Sequence, residues 1–82
     1  MTADNAPPAQ DPVVVYDLMR EAANRLIGVY AQRGTVGGLN DPAVQAIIAV
    51  LDEVEAVDPR DVGAQRAATE VFRARYASER KT

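Results

Sequence analysis

Asp52, Glu53, Glu55 and Asp58 are the residues whose types and spacing come closest to chemistry. Paired carboxylates can share acid–base work when burial drives their pKa values apart. Asp52 and Glu55, three residues apart, would face one side of a helix and could share a divalent cation, but such a site needs more oxygens than two side chains supply. A solvated face, or one that meets arginines of the last helix, accounts for the cluster without a metal. The chain holds no Cys and no His. Disulfides and thiolate metal sites are therefore excluded, and the commonest general base and metal ligand is missing. The expectation is a non-enzyme with no catalytic residues, no metal and no cofactor.

The second candidate is the loop Gly34-Thr35-Val36-Gly37-Gly38-Leu39-Asn40 ahead of Asp41-Pro42. Backbone N–H groups at a helix N-terminus favour anions. The pattern is not a Walker loop, because no Lys-Ser/Thr follows it, and Asp41 would repel a phosphate. A plain connector is the better reading.

The third is a run of basic residues late in the chain. Residues 1–59 hold nine acidic and three basic side chains, while residues 60–82 hold three acidic and six basic ones, on a chain of net charge −3. Arg66, Arg73, Arg80 and Lys81 could contact phosphates. Arg66 and Arg73 share a side of the wheel and Arg75 points toward the apolar side, but no helix-turn-helix spacing or aromatic interleaving accompanies them.

Helices must position all of these groups. Asp-Pro occurs three times: Asp11-Pro12, Asp41-Pro42 and Asp58-Pro59. Asp at an N-cap accepts from an orphaned N–H, and Pro at N1 has no N–H to lose. Each pair is read as a helix start, giving helices over residues 12–33, 42–57 and 59–78. Asp58 with Asp61 resembles a capping box. Residues 1–10 lack large apolar side chains after Met1 and are read as a disordered tail; 11–79 as one helical domain; 80–82 as a frayed end. No apolar run nears the roughly 18 residues that span a bilayer, and the N-terminus has no signal-peptide pattern, so a cytoplasmic location is expected.

The fold class is all-α: a three-helix antiparallel bundle. The middle helix is the most apolar and is expected to be its central element. Its core should set Ile47, Val50, Leu51 and Val54 against Val15, Met19, Leu26 and Val29. Helix three offers Ala64, Ala67, Ala68, Val71, Phe72 and Ala74, mostly small groups that bury little area. Apolar arcs of half a turn or more on the first two helices should leave a strip uncovered, drawn from Tyr16, Ala23, Ile27 and Tyr30 or from Val44, Ile48 and Leu51. Exposed strips of that kind mark interfaces, and the commonest occupant is a second copy. The expected function is thus a non-enzymatic protein–protein interaction module or small regulatory or accessory subunit, acting as a homodimer; antitoxins, immunity proteins, phage or plasmid regulators and other bacterial accessory proteins fit that description. A small nucleic-acid-binding regulator using the basic third helix is the alternative. No membrane partner is expected.

Overall fold

The computed structural model describes residues 12–34 and 36–81. The expected disordered tail and the Asp11 cap lie outside these residues. Three α-helices form a bundle: α1 (Pro12–Gln32), α2 (Pro42–Glu55) and α3 (Val62–Arg80), with a short 3-10 turn at Gly38–Asn40. Consecutive helices run antiparallel, so α1 and α3 are parallel. Their last turns meet where Arg33 contacts Glu79 at 2.8 Å.

The first connection follows the sequence closely. Gly34 ends α1 with φ +98°, a backbone conformation that costs glycine nothing. Asp41 caps α2, its Oδ1 accepting from the Ala43 N–H at 2.8 Å, with Pro42 at the first helical position. The Gln45 amide donates to the Leu39 carbonyl and ties the loop to the helix.

The second connection corrects the expectation. Asp58-Pro59 does not start α3. The Asp61 N–H donates to the Asp58 carbonyl at 3.0 Å, closing a β-turn with Asp first and Pro second, an arrangement as natural for that dipeptide as a cap. Asp61 is the N-cap, accepting from the Ala64 N–H at 2.9 Å, so the expected Asp58/Asp61 capping box is absent. The last helix therefore spans Val62–Arg80 rather than 59–78, and α2 stops at Glu55 rather than at residue 57. Gln65 holds the turn. Its side chain is fully buried, and its Nε2 donates to the Asp58 and Pro59 carbonyls at 3.1 and 2.6 Å. Its Oε1 meets no donor among the described residues.

The central element is α1, not α2. It packs against both other helices, while α2 and α3 touch each other little. α1 buries Val15, Met19, Ala22, Ala23, Leu26 and Tyr30, a stripe wide enough to serve two neighbours; α2 buries Ala43, Val50 and Val54 alone. Apolar richness made α2 look central, but a hub needs two usable faces along its length, and α1 is 21 residues long against 14 for α2. Of the expected core, Val15, Met19, Leu26, Val50 and Val54 are buried. Ile47 and Val29 are only half-buried, and Leu51 is exposed.

α3 is rotated from its expected setting. Its inner face is Gln65, Ala68, Thr69, Phe72 and Tyr76, with Ala67, Val71 and Ala74 outside. Phe72 and Tyr76 carry far more area than any alanine, so they set the rotation. Glycine at position 28, in the middle of α1, costs the helix roughly 1 kcal/mol relative to alanine. Among the described residues, and apart from its own helix backbone and chain neighbours, nothing lies within 4 Å of where its Cβ would sit.

Candidate interaction surfaces

The acidic cluster is dispersed by the fold. Glu53 accepts from Arg75 at 2.6 Å, which bridges α2 to α3. Arg75 also lies over the Phe72 ring, 5.8 Å from its centroid. Asp58 Oδ1 caps its own turn at the Arg60 N–H, 2.8 Å away. Asp52 and Glu55 are exposed. Among the described residues no group of three His, Cys, Asp or Glu side chains is placed to hold a metal. In the glycine loop, the Gly37 N–H donates to Asp41 Oδ2 at 3.2 Å, so the chain's own carboxylate takes the amide that an anion would need.

The two candidate apolar strips fare differently. Ala23 and Tyr30 are buried inside the bundle, and Tyr16 and Ile27 are half-buried against its core, so the first strip is not an open surface. The reason is α1's role as hub: the side of it that seemed spare is covered by its second neighbour. The second strip persists. Ile48 is 36% and Leu51 47% exposed, with Val44 half-buried beside them. These three stand at i, i+4 and i+7, one line on a helix. Glu53 faces α3 through Arg75, and Ile48 lies about 140° round the wheel from it. The strip therefore looks away from α3. Leu39 and Val36 in the preceding loop are open as well.

Tyr30 sits in a clasp that closes the shared end of α1 and α3. Its hydroxyl donates to Glu79 Oε2 at 3.1 Å. Arg33 Nη2 donates to the Glu79 carboxylate at 2.8 Å and to the Glu79 carbonyl at 2.9 Å, and its guanidinium lies 5.5 Å from the Tyr30 ring centroid. The Arg33 hydrogen bond, with the Tyr30 hydroxyl second, holds the Glu79 carboxyl below its usual range. Burial, and then the bond to Glu79, pushes the Tyr30 phenol up. This clasp explains why α3 stays helical to Arg80, two residues past its expected end. A depressed folded pKa means that the clasp contributes fully above the unfolded carboxyl value and is lost as pH falls through the folded one. The melting-temperature difference between the natural chain and Glu79→Gln should therefore be constant near neutral pH and shrink on acidification below the ordinary glutamate range. A difference independent of pH would show that the carboxylate contributes nothing.

The basic residues form a pattern that the sequence reading did not collect. Arg66, Arg73 and Arg80 line a row of three hollows between α1 and α3 that share lining residues, and α1 adds Arg25 and Arg33 from the facing wall. Lys81 is exposed at the end of α3 and does not line it. The signal available in sequence was the seven-residue spacing of Arg66, Arg73 and Arg80, which keeps them on one side of a helix. What sequence could not supply was that Arg25 and Arg33 face them, because that depends on α1 and α3 being parallel partners. Glu21, Glu70 and Glu79 stand in the same hollows. Glu21 lies 3.5 Å from Arg25 and Glu70 lies 3.8 Å from Arg73, both exposed pairs worth little to stability. Arg80 lies over the Tyr76 ring, 5.4 Å from its centroid. Among the described residues no helix is long and apolar enough to cross a membrane.

No family model, curated protein or solved structure matches this chain.

Proposed function

We propose that the chain is a non-enzymatic, cytoplasmic protein-interaction module, and that α2 joins it to a second copy of itself. The observation that carries this reading is the exposed pair Ile48 and Leu51, with half-buried Val44 in line with them, on a helix that packs well against only one neighbour. Fully burying one such side chain is worth about 1.5–3 kcal/mol, so the line is a substantial driving force left unused in one copy. The charges around it favour an antiparallel two-fold pairing centred near Ile48. Asp52 and Glu55 crowd the C-terminal half of α2, and residues 34–59 contain no Lys or Arg. Parallel helices would set these carboxylates side by side. Antiparallel ones separate them and bring each pair toward the positive N-terminal end of the partner helix.

Light scattering after size exclusion should report twice the 8.8 kDa chain mass at micromolar concentration, and the melting temperature should rise with protein concentration. Leu51→Asp, at an exposed position, should keep the far-UV spectrum and return the single-chain mass. A single-chain mass for the natural protein, with a concentration-independent melt, would remove the homodimer.

The alternative, a small nucleic-acid-binding regulator using α3, draws support from Arg66, Arg73 and Arg80 falling on one line. Three glutamates in the same hollows oppose it, since each would face phosphate. If it holds, a gel shift must weaken steeply with salt.

A further inference from the structure

An antiparallel two-fold pairing through α2 fixes what meets at its two ends. Resting on that pairing, we infer that each copy's glycine loop docks on the start of the partner's α1, with Leu39 as the anchor and Tyr16 and Val13 as the surface it covers. Three observations lead there, and the first is that the loop is pinned. The Asn40 N–H donates to the Gly37 carbonyl at 3.3 Å, and the Asp41 N–H to the Gly38 carbonyl at 3.0 Å. The Gly37 N–H donates to Asp41 Oδ2, and the Gln45 amide holds the Leu39 carbonyl. Gly38 takes φ +61°, and a Cβ at Gly37 would come within 3.2 Å of the Asp41 Cβ, so both positions favour glycine. This framework holds Leu39 outward, 71% exposed, with Val36 fully open beside it. A lone apolar side chain on a slack loop is ordinary; one that a pinned turn presents to water is placed to meet something.

The second is register. Tyr30 lines one hollow with Ala43 and Ala46, which sets the level of α1 against antiparallel α2. Counting along both helices from there brings Tyr16 level with Val57, and Val13 just beyond it. With Ile48 on the two-fold axis, Leu39 stands as far before the axis as Val57 stands after it. One copy's Leu39 therefore comes level with the partner's Tyr16. The flank is right as well. Leu18, Arg25 and Val29 line the hollows toward α3, and Tyr16 lies about 140–180° round the wheel from them. It thus looks to the same side as Val44 and Leu51. Tyr16 is half-buried and Val13 is 66% exposed. No single copy can bring Leu39 to them, because they lie at opposite ends of α1, whose 21 residues span about 31 Å.

The third is charge. Arg20 stands one turn after Tyr16 on the same flank. It is exposed and enters none of the ion pairs among the described residues. By the same register it comes level with the partner's Asp41. That carboxylate accepts the Ala43 and Gly37 N–H groups of its own chain and keeps lone pairs for a guanidinium. The two-fold axis repeats each contact. The interface then has Ile48 and Leu51 at its centre, and at each end a leucine anchor beside a cation that faces a carboxylate.

The chain holds no Cys, so thiols can be introduced one at a time. The test uses the full chain and a thiol cross-linker too short to reach along α1. Ile48→Cys alone should link to itself, which reports the pairing through α2. An equal mixture of Leu39→Cys and Val13→Cys chains should link one to the other. Leu39→Cys alone should not link, since the two copies of that residue stand about 27 Å apart along the pair. Leu39→Asp should weaken the dimer by about 10-fold or more. It should leave the melting temperature unchanged at dilutions where the chain is single, because the side chain meets only water there. Arg20→Glu should weaken the dimer more at low salt than at high salt. A link at position 48 without the 39–13 link, a self-link at position 39, or a Leu39→Asp or Arg20→Glu dimer as tight as the natural one would overturn the docked loop while the pairing through α2 stands. No link at position 48 together with a single-chain mass would remove the dimer and the docked loop with it, so the two failures are told apart.

Discussion

Phe72→Ala should leave most of the chain unfolded at room temperature. Phe72 is the largest fully buried side chain, and it sits in one core cluster with residues of α1 and α2. Truncating a buried phenylalanine to alanine costs about 3–5 kcal/mol through lost transfer energy and the cavity left behind. A core in a domain this small rarely supplies more than about 3–5 kcal/mol of net stability. The two figures are of one size, so the substitution consumes the margin. The neighbours cannot collapse to fill the space, because much of the rest of α3's inner face is alanine, threonine and a glutamine already committed to the turn. Far-UV circular dichroism and urea titration read the outcome. A variant that melts within a few degrees of the natural chain would mean that Phe72 does not anchor α3.

Gln65→Glu should cost about 3 kcal/mol or more at neutral pH, although the two side chains have nearly the same shape. The Gln65 amide donates to the Asp58 and Pro59 carbonyls from a fully buried position. A carboxylate there would turn both contacts into acceptor against acceptor and would bury a charge. The effect must also depend on pH. Burial raises the pKa of such a carboxyl in the folded state. The folded state then binds a proton that the unfolded state releases, so stability falls as pH rises above the unfolded value of about 4.3. Near about pH 4 the neutral acid can still donate one of the two hydrogen bonds, and part of the loss should be recovered. Urea midpoints compared across that range test it. A loss that does not vary with pH would place position 65 in contact with water.

What the sequence could disclose was local. Asp41-Pro42 and Gly34 mark helix ends through chemistry that needs no tertiary context, and the structure uses them as expected. Asp58-Pro59 is just as local but ambiguous, because one dipeptide serves both as a cap and as the first half of a turn. Asp61 and the buried Gln65 decide it, and a lone glutamine gives no sequence sign of burial. The rotation of α3 was hidden for a related reason: six apolar positions counted equally on a wheel, whereas a phenylalanine carries well over twice the apolar area of an alanine. Of the two surfaces, the α2 strip was legible because α2's own periodicity holds it. Half of the row of hollows was legible in the arginines of α3. The other half needed the pairing of α1 with α3, and no pattern along a chain reports which distant helices lie side by side.

That pairing also sets how the molecule must assemble. The most extensive contact joins the first helix to the last, and the Tyr30–Glu79 bond closes a loop of 49 residues. Most small helical bundles gain their early stability from neighbouring helices, which meet after short loops and so fold quickly. Here the hairpin of α1 and α2 has half its hub face bare until α3 arrives, and it lacks Phe72. Loop-closure entropy must be met before the main contact forms. The hairpin of α1 and α2 is therefore expected to gain a stable core only when α3 packs onto it.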